Sequence, residues 1–258
     1  SLSRAPTPDF QTLDLSGLTL FALDRYAESV QYLECASRLN PSDLPTLYML
    51  GKAYLKVRNY QGVTGVFSRI MAINPDSVEA HVMMGTAYDK TSHEEEALKE
   101  YEAAERADPD FLGVHSGLGL LYWKKGDIDR AEREFRAGLK AFPGDAVSSC
   151  MLGQILLREN RADEAAEHFR SAIHANPKYK EALFGLGKAE LTLNRPDAAI
   201  EPLRKAIALD PDYVQAHFVL GSVLRRLGHP AEAAREQTAA VEIQKKQQSD
   251  YAKKLNRR

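Results

Sequence analysis

Glycine recurs along this chain at a fixed step of 34 residues. Its seven positions in that series are Gly17, Gly51, Gly85, Gly119, Gly153, Gly187 and Gly221. Proline keeps the same step at Pro41, Pro75, Pro109, Pro143, Pro177 and Pro211. A fixed period of roughly 20–50 residues is typical of one supersecondary unit that is repeated and stacked. The 258 residues are therefore predicted to form a solenoid that grows by adding repeats.

One repeat, residues 78–111, predicts two helices joined by a tight turn. The first runs from Val78 to about Lys90, and apolar residues follow a helical spacing in the second. Ser92 with Glu95 reads as a capping box that starts the second helix. Pro109 ends that helix, since proline cannot continue the hydrogen-bonding pattern. Repeats of this kind leave no room for strands, so the chain is predicted to be all-α.

Turn residues in other repeats predict the same pair of helices. Gly126 is expected as the residue that follows a first helix, and Asp127 as the cap of the next one. Pro196 and Pro230 fall where a second helix should begin, a position that tolerates proline. From Pro230 to about Leu255 there is no further glycine or proline, so one long helix is predicted to cap the solenoid.

Composition narrows the classes of function. The net charge is −2, with 27% charged residues, so no global basic field attracts the chain to nucleic acid. The sequence contains no run of about 18 apolar residues, so no transmembrane helix is predicted. The first residues lack the apolar stretch of a signal peptide, so none is predicted. A cytoplasmic location is favoured, with the periplasm as the alternative if a signal peptide has been removed.

With these repeats the sequence resembles the tetratricopeptide repeat (TPR) family, whose 34-residue units are helix-turn-helix pairs. Leu118, Gly119, Tyr122, Ala131 and Phe135 stand at the family positions of one repeat. The resemblance covers residues 10 to about 247 and implies a right-handed α-solenoid with a C-terminal capping helix. The predicted division is a linker at 1–9, seven repeats at 10–43, 44–77, 78–111, 112–145, 146–179, 180–213 and 214–247, and a basic end at 248–258.

The first aromatic position of the family pattern never holds Trp here, and Lys245 replaces the proline of the last repeat. Two further departures replace large packing residues. Glu190 stands where a large apolar residue should pack, and Gln237 stands in place of a phenylalanine in the last repeat.

The resemblance also implies that the first helix of each repeat lines a concave groove that holds a peptide. The predicted groove positions are Tyr48, Lys52, Lys56, Met83, Asp89, Lys90, Trp123, Lys124, Met151, Gln154, Leu157, Arg158, Phe184, Lys188, Phe218 and Arg225. Aromatic anchors beside cations suit a protein or peptide segment with apolar and acidic side chains. The alternative is that exposed positions simply carry Lys and Arg on a solvated face.

Two known groove chemistries of the family are not expected here. The Lys and Asn clamp for a C-terminal carboxylate is replaced by pairs such as Tyr48 with Lys52. The asparagine ladder for extended backbone is replaced by residues such as Met49 and Met83.

Neither a catalytic centre nor a cofactor or metal site is predicted. His81, His115 and His217 share one repeat phase, so they read as core aromatic substitutes spread along the stack and not as ligands of one ion. Cys150 has no neighbouring base evident in sequence, and no phosphate loop or nucleophile elbow occurs. We therefore predict a non-enzymatic scaffold for protein–protein interaction.

The alternative is a structural or self-association module that uses the terminal helices, Phe10–Leu23 and Ala231–Leu255, within a larger protein. The tail from Gln244 carries six basic residues against one aspartate, a net charge of +5. A contact with nucleic acid or an acidic partner is one interpretation of that tail, and a solubilising cap is the favoured one.

Overall fold

The computed structural model describes residues 8–255, and these residues form helices without any strand. The prediction of an all-α chain is therefore confirmed for the described part. The helices are α1 (Phe10–Ala22), α2 (Tyr26–Leu39), α3 (Leu44–Lys56), α4 (Tyr60–Ile73), α5 (Val78–Lys90), α6 (Glu94–Ala107), α7 (Val114–Lys124), α8 (Ile128–Ala141), α9 (Ala146–Arg158), α10 (Ala162–Ala175), α11 (Lys180–Thr192), α12 (Pro196–Leu209), α13 (Val214–Arg226) and α14 (Pro230–Leu255).

Successive helices pack as pairs, α1 with α2, α5 with α6, α9 with α10, α11 with α12, and α13 with α14. Helices two apart, such as α3 and α5 or α9 and α11, also contact each other. Six of the seven predicted repeat starts coincide with the first residue of an odd-numbered helix; α7 is the exception and begins at Val114, after Gly113 with φ +97°. The division into seven repeats stays a prediction.

The turn inside each pair contains one residue in the left-handed region. These residues keep the 34-residue step, with φ between 59° and 81°: Asp24, Arg58, Ser92, Gly126, Asn160, Asn194 and Gly228. A left-handed residue after a helix lets the chain reverse and satisfies the last carbonyls. Gly126 fits the prediction, and Asp127 accepts a hydrogen bond from the Arg130 backbone N–H at 3.1 Å as the cap of α8.

The capping box predicted at Ser92 and Glu95 is wrong. Ser92 has φ +62° and serves as the left-handed residue after α5, so its side chain stands one residue too early to cap the next helix. Helix α6 begins at Glu94, and the preceding His93 makes no side-chain capping bond. The other boundaries hold: α5 spans Val78–Lys90, and Pro196 and Pro230 each begin a helix.

The periodic glycines allow the helices of a pair to approach closely. A Cβ atom placed on Gly17 would lie 2.6 Å from Leu33, and one on Gly153 would lie 2.9 Å from Phe169. Gly51 differs, because a Cβ there would meet Met83 of the following pair at 2.6 Å. Small residues at this phase are therefore required by the packing of large ones opposite.

The chain divides into two compact units, here called the N-terminal half, up to Glu134, and the C-terminal half, from Phe135. In the N-terminal half the core includes Leu47, Leu50, Val63 and Ile70. In the C-terminal half one cluster gathers around Phe169 and another around Leu203, Leu220 and Leu224. Each half thus has apolar layers of its own.

The two departures that replace large packing residues are accommodated differently. Glu190 is 3% exposed, and its carboxylate forms ion pairs with the guanidinium groups of Arg170 and Arg195. Gln237 lies opposite Gly221, where an added Cβ would come within 3.1 Å of its Cγ. A buried carboxylate is tolerated when cations neutralise it, as they do here.

The C-terminal helix is a single element from Pro230 to Leu255, as predicted. Of the predicted linker, residues 1–7 lie outside the described residues, and so do residues 256–258 of the basic end. Within the described helices, none combines the length and the apolar character that a membrane crossing requires.

Candidate functional site

The groove positions of helix α3 make contacts within the N-terminal half. The Tyr48 hydroxyl hydrogen-bonds to the Ser77 hydroxyl at 2.8 Å. Lys52 forms an ion pair with Glu79 at 2.6 Å, and the Lys56 ammonium lies 5.5 Å from the centre of the Tyr26 ring. The two lysines remain on the surface, but each has a partner inside the chain.

An acidic residue holds the groove positions of α5 and α7 together. Asp89 is 7% exposed and forms ion pairs with Lys124 and, at 3.4 Å, with Lys90. Trp123, next to Lys124, is half-buried. The positive charge of the predicted groove lysines is thus partly neutralised in this half.

Three predicted groove residues are buried, which corrects the prediction that they face a ligand. Met83 and Met151 are 3% and 6% exposed, and Asp89 is the third. Met83 fills the space over Gly51 in the core of the N-terminal half. Helical phase gave the face on which they lie, but the neighbouring helices approach closely enough to cover them.

In the C-terminal half, groove positions come together in one cleft. The cleft encloses about 410 Å³ between α9, α11 and the beginning of α13. Its lining consists of Gln154, Leu157, Arg158, Phe169, Glu181, Phe184, Gly185, Lys188, Tyr213 and Gln215. The sequence prediction and the cleft therefore overlap at five residues: Gln154, Leu157, Arg158, Phe184 and Lys188.

The floor of the cleft is the Phe169 ring, which α10 inserts beneath two glycines. Phe169 is fully buried in the core of the C-terminal half. Added Cβ atoms on Gly153 and Gly185 would both collide with the Phe169 ring. The glycines therefore let the aromatic ring reach the base of the cleft, which makes that base apolar.

One wall of the cleft is aromatic and carries cations on its outer side. The ring centroids of Phe184 and Tyr213 are 5.1 Å apart, with planes inclined at 48°. Lys188 Nζ lies 5.7 Å from the Phe184 centroid, and Lys180 Nζ lies 5.4 Å from that of Tyr213. Lys180 is further held by Asp210 at 2.6 Å. Two rings in contact, flanked by ammonium groups, form a rigid and electropositive wall, which suits an acidic partner.

Burial raises the pKa of two groups in or beside the cleft, Tyr213 and Cys150. It raises the pKa of the Tyr213 phenol to about 12, and the Glu181 carboxylate adds to the rise. The phenol is therefore neutral at physiological pH and can donate a hydrogen bond. Burial also raises the pKa of the Cys150 thiol to about 11, so the thiolate is scarce at neutral pH.

Three predicted residues of the C-terminal half lie outside the cleft lining, namely Met151, Phe218 and Arg225. Five lining residues were not predicted: Phe169, Glu181, Gly185, Tyr213 and Gln215. Phe218 and Arg225 are exposed on α13 but do not line the cleft. Glu181 and Gln215 do line it, and both stand at the second position of a predicted repeat, a phase that the family uses for its groove. Tyr213 was missed because it precedes α13; its counterpart one repeat earlier, Tyr179, was the available signal.

The three phase-related histidines have glutamate partners that sequence reasoning did not identify. Their Nδ1 atoms lie within hydrogen-bonding distance of a carboxylate 19 residues later: His81 with Glu100 at 2.7 Å, His115 with Glu134 at 2.9 Å, and His217 with Glu236 at 2.6 Å. His217 is buried, as predicted for a core position, while the other two are half-buried. Each pair links the two helices of one repeat, and the recurring spacing was the signal for it.

A comparison with protein families matches the tetratricopeptide repeat model at residues 82–146, 150–214 and 189–249, well over half of the chain. This agrees with the resemblance that the periodic glycines and prolines carry. No curated protein sequence matches the chain.

Solved TPR structures share the fold. TTC0263 from Thermus thermophilus is 25% identical, with a TM-score of 0.60 over 70% of this chain and 99% of that chain. YrrB, a TPR protein with an unusual peptide-binding site, is 21% identical, with a TM-score of 0.55 over 73% and 97%. MamA from Desulfovibrio magneticus RS-1 is 24% identical, with a TM-score of 0.55 over 66% and 96%. These neighbours confirm the predicted all-α solenoid class.

Proposed function

This chain belongs to the tetratricopeptide repeat family, a family of protein-interaction scaffolds, and we propose that it binds a partner peptide in the cleft between α9, α11 and α13. The ligand is a segment with an apolar side chain followed by one or more acidic ones. Most of the lining residues belong to helices, so on binding the peptide loses most of the conformational entropy and the scaffold loses little.

The observation that carries the proposal is the combination of an apolar base with a cationic rim in one cleft. Phe169 forms the base, and the Phe184 and Tyr213 rings form a wall. Arg158 and Lys188 are exposed cations of the lining, which also includes the Glu181 carboxylate. A cleft of this kind accepts one aromatic or aliphatic side chain and places the residues beside it next to positive charge.

YrrB supplies supporting analogy, since a TPR protein of similar fold has a peptide-binding site. In the N-terminal half the proposal keeps Tyr48, Lys52, Lys56, Lys90, Trp123 and Lys124 as contact positions for the same ligand class. There, acidic ligand side chains would compete with the intramolecular partners Glu79 and Asp89 for the lysines.

The proposal contains no catalytic step. Cys150, on α9 beside the cleft, is buried and has a pKa raised to about 11 by that burial. The described residues that line the cleft supply contact groups, and none of them pairs a nucleophile with a base.

Selection from a displayed random peptide library tests this function. We expect peptides that bind the wild-type chain to be enriched in an aromatic or large aliphatic residue beside Asp or Glu. The same selection against a Lys188→Glu variant should lose the acidic preference. Peptides without that pattern, or with an identical pattern on both proteins, would refute the proposal.

Self-association through the terminal helices is the second candidate, and exposed apolar residues favour it. Leu15 and Leu23 in and after α1 are 66% and 61% exposed, and Tyr251 in α14 is 67% exposed. Light scattering on the whole chain and on a chain without residues 244–258 tests the contribution of α14. A Leu15→Ser variant tests α1. A mass that stays monomeric in all three excludes this candidate.

A further inference from the structure

We propose that Glu105, His115 and Glu134 form a binding site for one divalent transition-metal ion of the zinc class. Each residue offers one ligand atom, and these atoms all lie within 4.8 Å of one another. The three side chains are half-buried and come from α6, α7 and α8 within the N-terminal half. The histidines lie in different repeats and cannot share one ion, but here two carboxylates complete a ligand set around one of them.

Comparison with the other two His–Glu pairs isolates what is special at this site. His81 with Glu100 and His217 with Glu236 have the same spacing and similar distances. The residue one repeat before Glu105 is Met71, and the residue three repeats after it is Ile207. Met71 therefore stands in the place of a third ligand at the His81–Glu100 pair, and Ile207 does so at the His217–Glu236 pair. These two pairs serve as natural controls for metal binding.

Glu105 itself breaks a pattern of uncharged residues. Its counterparts at steps of 34 residues are Ser37, Met71, Leu139, Ile173, Ile207 and Val241. A carboxylate placed there lies beside a second carboxylate, Glu134, and like charges at this distance disfavour each other. A divalent cation between them removes that repulsion.

The donor set and its spacing suit the zinc class. Zinc takes imidazole nitrogen and carboxylate oxygen at about 2.0–2.2 Å in tetrahedral sites, and three protein ligands with a water are a common arrangement. Ligand atoms around such an ion stand about 3–4 Å apart by that geometry. The present separations, none above 4.8 Å, are close to that range. Carboxylate-rich sites without nitrogen would instead suit magnesium or calcium.

A bound ion would cross-link three consecutive helices. It would tie α6 to the pair α7 and α8, which the His115–Glu134 hydrogen bond already joins. Because the ion binds the folded state and not the separated helices, it should raise the thermal stability of the chain as its concentration rises above the dissociation constant.

The test uses the whole chain with Zn²⁺ in calorimetry and thermal melts, and Co²⁺ as a spectroscopic probe. We expect one ion per chain, a rise in Tm that EDTA reverses, and Co²⁺ absorption bands of a low-coordinate site. Glu105→Leu, which introduces the residue found at position 139, should weaken binding by about tenfold or more. Glu105→Gln keeps the side-chain size and guards against a folding defect, and should weaken binding similarly.

His81→Leu and His217→Leu are matched controls, because each breaks a His–Glu pair that lacks the third ligand. Both should keep the affinity and stoichiometry of the wild type. The proposal fails if the wild type binds no Zn²⁺, if both Glu105 variants bind it as tightly as the wild type does, or if either control loses it to the same extent.

Discussion

The rings of Phe184 and Tyr213 lie 5.1 Å apart and form one aromatic wall, although Phe184 is on α11 and Tyr213 precedes α13. This contact connects α11 with the segment before α13 at the edge of the cleft. The Lys188 ammonium lies 5.7 Å from the centre of the Phe184 ring, so the proposed ligand side chain would pack beside a cation.

Phe184→Ala should therefore weaken binding of a selected peptide by about tenfold or more, since aromatic anchors in such sites commonly contribute above roughly 1 kcal/mol. Leu209→Ala is the matched control, because Leu209 is an exposed apolar residue of α12 outside the cleft lining. Isothermal titration calorimetry measures both. Equal losses in the two variants would show that the wall has no specific role.

Two glycine-to-alanine substitutions separate the effect of close packing on stability from the effect of helix propensity. Gly153→Ala should destabilise the chain by about 1–3 kcal/mol because the new Cβ would overpack against Phe169. Gly65→Ala should stabilise it by about 0.5–1 kcal/mol, because Gly65 is inside α4 and a Cβ there meets nothing within 4 Å. Urea unfolding followed by circular dichroism gives both values. The same sign for both variants would contradict the packing argument.

The buried carboxylate of Glu190 predicts an asymmetry between two variants. Arg170→Ala removes one of its two cations and should cost about 1–3 kcal/mol, since a buried charge loses a partner. Glu190→Leu, which introduces the residue found at positions 156 and 224, leaves only exposed guanidinium groups and should be close to neutral. Chemical denaturation measures the difference, and a larger cost for Glu190→Leu would overturn this interpretation.

The two cysteines should differ in reactivity. Cys35 is half-buried, whereas Cys150 is buried with its pKa raised to about 11. A chromogenic thiol reagent at mildly alkaline pH should modify only Cys35 in the folded chain and both residues in denaturant. Cys35→Ser provides the control, and rapid modification of that variant without denaturant would contradict the burial of Cys150.

The raised pKa of Cys150 also predicts that the stability of the folded chain falls as pH rises. In the folded chain the thiol keeps its proton to a pKa of about 11, above its ordinary value of 9.0. The folded state therefore binds more protons between these values, so the contribution to stability is full below the ordinary pKa and declines as pH rises through that window.

The fold followed from the sequence because glycine, proline and apolar residues repeat in one phase. The ends of the helices were harder to predict from the sequence. The left-handed turn position holds Asp24, Arg58 and Ser92 as well as glycine. Of these residue types, only glycine allows a left-handed residue to be predicted from the sequence. The wrong capping box at Ser92 came from this ambiguity. In sequence, a serine before an acidic run resembles a helix N-cap, even where it is the left-handed residue that follows the preceding helix.

The residues of the candidate site could be predicted where their position on a helix face determines exposure to the cleft. They could not be predicted where burial by, or contact with, other residues determines it. Phase placed Leu157, Phe184 and Lys188 in the lining. It could not show that Met151 is buried, nor that Tyr213 before α13 folds against Phe184. These features depend on how far adjacent helices approach, which side-chain volumes in three dimensions determine.

The central claim is that the cleft of the C-terminal half binds a peptide through an apolar base and a cationic rim. Fluorescence anisotropy with one labelled peptide from the selection tests it most directly, in titrations of the wild type, Lys188→Glu and Lys205→Glu. Lys205 is an exposed lysine of α12 that does not line the cleft. We expect a loss of affinity of about tenfold or more for Lys188→Glu, since a rim cation beside an acidic ligand is reversed, and wild-type affinity for Lys205→Glu. Equal affinity of all three proteins for the peptide would contradict the claim.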